Sequence, residues 1–282
     1  MIPVIGGFSD VDFHQAADDA GRLMGAIPSE AYDLFFAATY GDAGHPVYPR
    51  NEWKDRIKRN DDLGTWPCRI IRYTHDQDGE PSCTHNATAL ANQLAGSRTW
   101  SPLRGIKFSA ISSYKHNGTR NSGSSVGGAI KWTEAVGQQP SMIPENDWLK
   151  QYGVILHPDN GYGIAQANGW KDTAKLFRAI EWVRVTSVAE WVSALIDGWA
   201  CVGGRNGHCI CHVELAMEGN DLTSVYCNSW GNWGFEMPIW TPQGPQPKKS
   251  FGADSERLIS VMVGRDAWAC RTVYVPPFML SP

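Results

Sequence analysis

A cysteine at the head of a helix-forming stretch, a histidine at the head of a strand-like run and an asparagine after the next such run could together attack an acyl group. Cys83 follows Ser82 and opens CTHNATALANQLAG. Ser82 is a natural N-cap, the Ala/Leu-rich body has high helix propensity, and Gly96 is placed as a C′ stop. A thiol in the first turn of a helix gains from the unpaired N–H groups and the dipole there, which favour the thiolate. Thiolate catalysis also needs an imidazole, and the imidazole needs a third group to hold its ring and tautomer. His208 and His212 in GHCICHVEL, with Asn228 in CNSWGNWG, are the candidates.

The elements that must position these residues fall into two kinds. Residues 1–62 form a first block with a polar helix-like stretch from Asp10 to Leu23, Ser29 as an N-cap before EAYDLFFAA, and a charge-rich solvated helix or arm from Asn51 to Asp62. No chemical constellation lies in it. PCRIIRY then reads as a short β-like run. The Ser/Gly/Asn-rich stretch from Ser112 to Gly128 reads as a loop entering AIKWTEAVG, a helix ending on Gly137. TAKLFRAIEWVRV reads as a helix or a helix-to-strand passage, and SVAEWVSALIDG as a Ser-capped helix stopped by Gly198. HCICHVELAME, LTSVYCNSW, GFEMPIW, LISVMVG and ACRTVYVPPF are alternating or β-branched runs separated by turn residues, the pattern of an antiparallel sheet or barrel. Helices first and strands later predict an α+β fold with two lobes.

Composition narrows the partners. With 282 residues, a net charge of −4 and a pI near 6.1, the chain carries no basic footprint for nucleic acid. No window approaches the roughly 18–20 apolar residues that span a bilayer, and the opening MIPVIGGFSDVDF lacks the regions of a signal peptide. The expectation is no membrane and no nucleic-acid partner, with the cytoplasm or a phage particle as the open locations. Seven cysteines, an odd number unevenly spread, argue for free thiols and a reducing compartment.

The string from Gln77 to Cys83, QDGEPSC, resembles the active-site segment of papain-like cysteine peptidases, in which a glutamine of the oxyanion hole stands six positions before the nucleophile. NSWGNWG, from Asn228, resembles that family's second hallmark, and GHCICHVEL its histidine strand. The resemblance covers residues 63–282 and implies a papain-like two-lobed fold: a helical lobe of about 83–200, with its central helix starting at Cys83, and a β-rich lobe of about 201–282. It implies Cys83 as nucleophile, His208 as base, Asn228 as orienter, Gln77 in the oxyanion hole and Trp230 covering the His208–Asn228 contact. In that register His212 is an ordinary strand position. NSGSSVGG resembles the family's substrate-pairing segment, which marks Gly123 and Ser124. The implied activity is hydrolysis of peptide bonds in a peptide or protein substrate, without a cofactor. Thr84 departs from the family, which usually has an aromatic residue after the nucleophile. Residues 1–62 become either a removable prosegment or a docking arm for an assembly partner.

Other readings compete. A catalytically inactive binding or structural protein could use the same fold, and papain-fold amidases or acyl transferases keep the chemistry on cell-wall peptides. Cys201, His208, Cys209, Cys211 and His212 invite a zinc site. On an extended strand, however, His208 and His212 stand about 13 Å apart with the two cysteines facing the other way, so no metal is expected.

Overall fold

The computed structural model describes residues 10–29, 37–99, 105–117, 122–143, 153–159, 161–241 and 243–273. The first block contributes α1 (Phe13–Ala20), capped by the Asp12 side chain on the His14 amide and closed by Gly21 in the left-handed region. It continues in a short strand, β1 (Ala26–Ile27), and in α2 (Arg50–Leu63). The helix expected after Ser29 falls mostly outside the described residues.

Next comes α3 (Cys83–Thr99), the central helix, buried on all sides from Cys83 to Ser97. The Ser82 carbonyl accepts from the Asn86 amide, as at an N-cap, while its hydroxyl accepts from the Asn86 side chain instead of a backbone amide. Gly96 does not stop the helix. It lies inside a buried stretch, where packing outweighs its poor helix propensity. PCRI is likewise a 3-10 turn (Pro67–Ile70), not a strand, because Pro67 presets a helical φ at the first position and brings no N–H.

Around the central helix stand β2 (Lys107–Phe108), α4 (Ala110–Asn117), β3 (Ser124–Ser125), α5 (Val126–Ala135) and β4 (Pro140–Met142); the stretch from Ser112 read as a loop is thus helical up to Asn117, where Ile111, Ser112, Ser113 and Tyr114 are buried, and again from Val126. The stretch read as helix-to-strand is a short helix, α6 (Trp170–Lys175), followed by β5 (Ala179–Arg184). Helix α7 (Val188–Ile196) has Ser187 capping the Glu190 amide, as its sequence predicts.

The β-rich part comprises β6 (Ala200–Arg205), β7 (His208–Glu218), β8 (Asp221–Cys227), β9 (Phe235–Thr241), β10 (Gly244–Ser255) and β11 (Ala267–Val273). With β5 they form a seven-stranded antiparallel sheet in the order β5-β11-β6-β7-β8-β10-β9. LISVMVG belongs to a helix, α8 (Glu256–Val263), not to a strand. Its buried residues Leu258, Ile259, Met262 and Val263 recur at helical spacing, so the face they form prevails over β-branched composition. Helices and a large antiparallel sheet make the α+β architecture that the sequence predicts.

One turn in this sheet sets the site. Asn206 and Gly207, both at positive φ, join Arg205 to His208, which face each other across the β6–β7 hairpin. Two left-handed residues match the right-handed twist of the flanking strands. His208 therefore begins its strand at a fixed position against the head of α3. The main core is continuous, and Phe13, Ala17, Tyr40, Trp53 and Ile57 of the first block are part of it.

Candidate active site

Cys83 sits in the first turn of α3, fully buried. Thr84, where the resemblance leads one to expect an aromatic ring, donates to the Ser124 carbonyl and so ties the head of α3 to the Gly123–Ser124 stretch. His208 Nε2 lies 2.8 Å from Asn228 Oδ1, and the same oxygen accepts from the Ser229 amide at 2.7 Å. The Ser229 N–H can only donate, which identifies this atom as the carbonyl end of the Asn228 amide. That makes Nε2 the protonated nitrogen of a neutral His208 and leaves Nδ1, the other edge of the ring, as a lone pair. Trp230 lies over the imidazole with ring centroids 4.6 Å apart, where the family resemblance puts a shielding ring.

Gln77 is held from the strand side. Its backbone amide donates to the Ser229 carbonyl, and the Ser229 hydroxyl donates to its Oε1 at 2.6 Å. The Nε2 edge is thereby turned away from Ser229. Ser229 escaped the reading of the sequence because it lies between two motif residues and carries no chemistry of its own. Its contact with Gln77 spans 152 positions of chain.

The first block passes through this site. Gln77 Nε2 donates to the Leu23 carbonyl at 2.8 Å. Both the Gly25 and Ala26 amides donate to the Gly207 carbonyl, at 3.1 and 2.8 Å, and the Ser124 amide donates to the Gly25 carbonyl at 2.8 Å. Strand β1 continues parallel to Ser124–Ser125. Closeness of this kind requires glycine on both sides. A Cβ on Gly25 would collide with the Pro81 carbonyl, and one on Gly123, at φ +75°, with the Gly25 carbonyl. On the other flank Phe13 of α1 meets the His208 ring edge-on at 4.6 Å and Trp230 at 5.6 Å. Arg22 pairs with Asp76 and Asp78, the residues on either side of Gln77. Arg205 donates to the Val11 carbonyl while holding Asp254.

Burial decides the electrostatics. Burial pushes the Cys83 thiol up, against backbone hydrogen bonds from Cys209 and Gly25 and further ones from Thr84 that pull it down. Burial also holds the His208 imidazole down to about 3, a shift the Asn228 hydrogen bond only partly offsets and nearby Arg205 increases. In this arrangement both groups are neutral at pH 7.

The remaining candidates separate. His212 faces the Ser224 hydroxyl at 2.8 Å with Asp254 3.6 Å from its other nitrogen, deep in the sheet and apart from the His208–Asn228 pair. Cys201, Cys209 and Cys211 are buried free thiols. Among the described residues no three His, Cys, Asp or Glu side chains gather as a metal would require.

No protein-family model matches the sequence, and no curated protein does. Solved structures do. Xylellain, a cysteine protease from Xylella fastidiosa, aligns with a TM-score of 0.58 at 16% identity, covering 89% of this chain and 96% of its own. Digestive procathepsin L 3 from the larval midgut of Tenebrio molitor aligns at 0.50 and 9% identity, over 72% and 67%. The chain has the papain-like cysteine protease fold. At such identities the likeness carries the fold, and the chemistry of this papain-like site rests on its own geometry.

Proposed function

We propose that the chain is a papain-like cysteine peptidase, with residues 10–29 acting as a prosegment that fills its own substrate cleft. The observation that carries the reading is the peptide backbone from Leu23 to Ala26, laid between Gln77, Ser124 and Gly207 with the Leu23 carbonyl on the Gln77 amide. A groove that binds main-chain amides and carbonyls of an extended segment is a groove for peptides.

Once the segment leaves, water reaches Cys83 and His208, the desolvation that keeps both neutral is relieved, and proton transfer from thiol to imidazole becomes favourable. The Cys83 thiolate attacks the substrate carbonyl carbon, forming the C–S bond as the carbonyl π electrons move to oxygen. Gln77 Nε2–H and the Cys83 backbone N–H hold that oxyanion. His208 gives its proton to the leaving amine as the C–N bond breaks, leaving a thioester. Water, deprotonated by His208, then attacks the thioester, and the thiolate departs. Asn228 holds the ring in the required tautomer throughout.

The test is the pH–rate profile of iodoacetamide alkylation at Cys83, read by mass spectrometry, in the full chain and after nicking of residues 10–29 by limited proteolysis. Slow labelling of the full chain is expected. The nicked chain should label fast well below pH 8.5, the ordinary thiol value being about 8.5, and should cleave a peptide library. His208→Ala should remove the low-pH labelling and Cys83→Ala all cleavage. An ordinary thiol profile after nicking, unchanged by His208→Ala, would leave an inactive papain-fold binding protein.

A further inference from the structure

Beside Asn228 lies a small cavity bounded by His75, Asn86, Ala87, Leu90, Cys209, Cys227, Asn228 and Ser229, with a volume of about 10 Å³ open to a water centre. Three of its polar residues each have one end committed to the protein. Asn228 Oδ1 is taken by His208 and the Ser229 amide. Asn86 Nδ2 donates to the Ser82 carbonyl and hydroxyl. His75 Nδ1 faces Asp159 at 3.1 Å. Their opposite ends, Asn228 Nδ2, Asn86 Oδ1 and His75 Nε2, are buried without any hydrogen-bond partner in the protein, and all three residues are about 2% exposed.

A donor, an acceptor and an imidazole nitrogen around room for one water are a hydration site by composition. Buried waters make about three hydrogen bonds to otherwise unsatisfied groups, and about 10–15 Å³ suffices for one. We propose that a single buried water bridges Asn228, Asn86 and His75, and that His75 is thereby a positioning residue that fixes the Asn228 amide and, through it, the tautomer of His208. The proposal rests on the peptidase reading for its catalytic meaning. With Nδ1–H donating to the Asp159 carboxylate, Nε2 is the acceptor end of the His75 ring, so the water accepts from Asn228 Nδ2–H and donates its two hydrogens to Asn86 Oδ1 and His75 Nε2.

His75 is itself anchored for such a task. Asp159 accepts from Lys107 at 2.6 Å and from the Ala110 amide at 3.0 Å in addition to facing His75, so the imidazole is held in its plane from behind. The same segment is locked to the site from the front: Asp76 bridges to Trp230, and the Gln77 amide donates to the Ser229 carbonyl. An amide free to rotate would present its NH2 to His208 Nε2, which favours the wrong tautomer. A water pinned between His75 and Asn86 adds to the Ser229 amide in making that rotation unfavourable, since rotation would turn the Asn228 carbonyl toward a lone pair of the water and its NH2 toward the Ser229 N–H.

Two substitutions separate positioning from mere support of Asp159. An asparagine at position 75 reaches about as far as Nδ1, toward Asp159, and leaves the cavity side bare. A glutamine reaches about as far as Nε2, so it can keep the water. In the full-length chain, ¹⁵N NMR of the His208 imidazole should show one protonated Nε2 in wild type and in His75→Gln, and a mixture of tautomers in His75→Asn. In the nicked enzyme, kcat should fall about tenfold for His75→Asn with KM unchanged, and stay within about twofold for His75→Gln. Equal effects of the two variants, or a larger effect of glutamine, would overturn the proposal. Should neither variant fold, a high-resolution crystal structure of the wild-type chain decides: a water within hydrogen-bond distance of all three atoms supports it, and a dry cavity or a reversed Asn228 amide refutes it. If these signatures hold while nicking produces no reactive Cys83, the peptidase reading fails and the hydration site stands.

Discussion

At the residue scale, the site depends on side chains whose second polar end is occupied. Asn228 is oriented by two donors on its oxygen, and Gln77 by the Ser229 hydroxyl on its Oε1. Ser229 is therefore expected to act through Gln77. In the nicked enzyme, Ser229→Ala should lower kcat about tenfold with KM nearly constant, less than the 10²–10³ typical of losing an oxyanion donor outright, which Gln77→Ala should show. A double substitution should be no worse than Gln77→Ala alone, because the serine's contribution passes through the amide it holds. Additive losses in steady-state kinetics would show a separate role for Ser229.

At the element scale, β1 lies against Ser124–Ser125 and Pro81 at a distance that fits only because Gly25 and Gly123 lack side chains, and on the proposed reading it closes the cleft. Gly25→Val should force β1 out of the cleft while leaving the rest of the chain intact. Overpacking of this kind costs about 1–3 kcal/mol, a shift of roughly fivefold to 150-fold in the balance between covered and open forms. Alkylation of Cys83 in the full-length variant should rise by that factor. An unchanged rate would mean that α1 alone, through Phe13 on His208 and Trp230, suffices to cover the site.

For the whole molecule, burial of neutral histidines ties stability to pH. His85 and His208 are held down to about 3, and His212 well below its ordinary value, in each case chiefly by burial. Above pH 6.5 these rings are neutral in both folded and unfolded chains. Below it the unfolded chain binds protons that the folded one refuses, so stability is lost as pH falls toward 3, at about 1.4 kcal/mol per pH unit for each ring. Scanning calorimetry should find the unfolding temperature dropping from pH 7 to pH 4. His85→Gln, which removes one such ring, should reduce the slope by about one proton. A flat profile would contradict neutral burial of these rings.

Much of this protein can be read locally. The spacing from Gln77 to Cys83, the propensity of the stretch after Ser82, the Ser187 cap and the alternation in HCICHVELAME depend on neighbours in the chain, and such signals survive into the fold. The misreadings arose where burial outweighed local preference: Gly96 inside a fully packed helix, LISVMVG turned by its buried face, Pro67 opening a 3-10 turn. Nothing in the sequence marked Leu23, Gly25 or Phe13, because their meaning lies in contacts with residues dozens to hundreds of positions away. The sequence by itself determined which residues are candidates for the chemistry and in what order they come. Only the tertiary structure decided that Ser229 orients Gln77, that His75 and Asn228 line one cavity, and that the backbone of Leu23–Ala26 lies against Gln77, Ser124 and Gly207 while Cys83 and His208 are buried, since desolvation and close backbone approach exist only once distant segments pack.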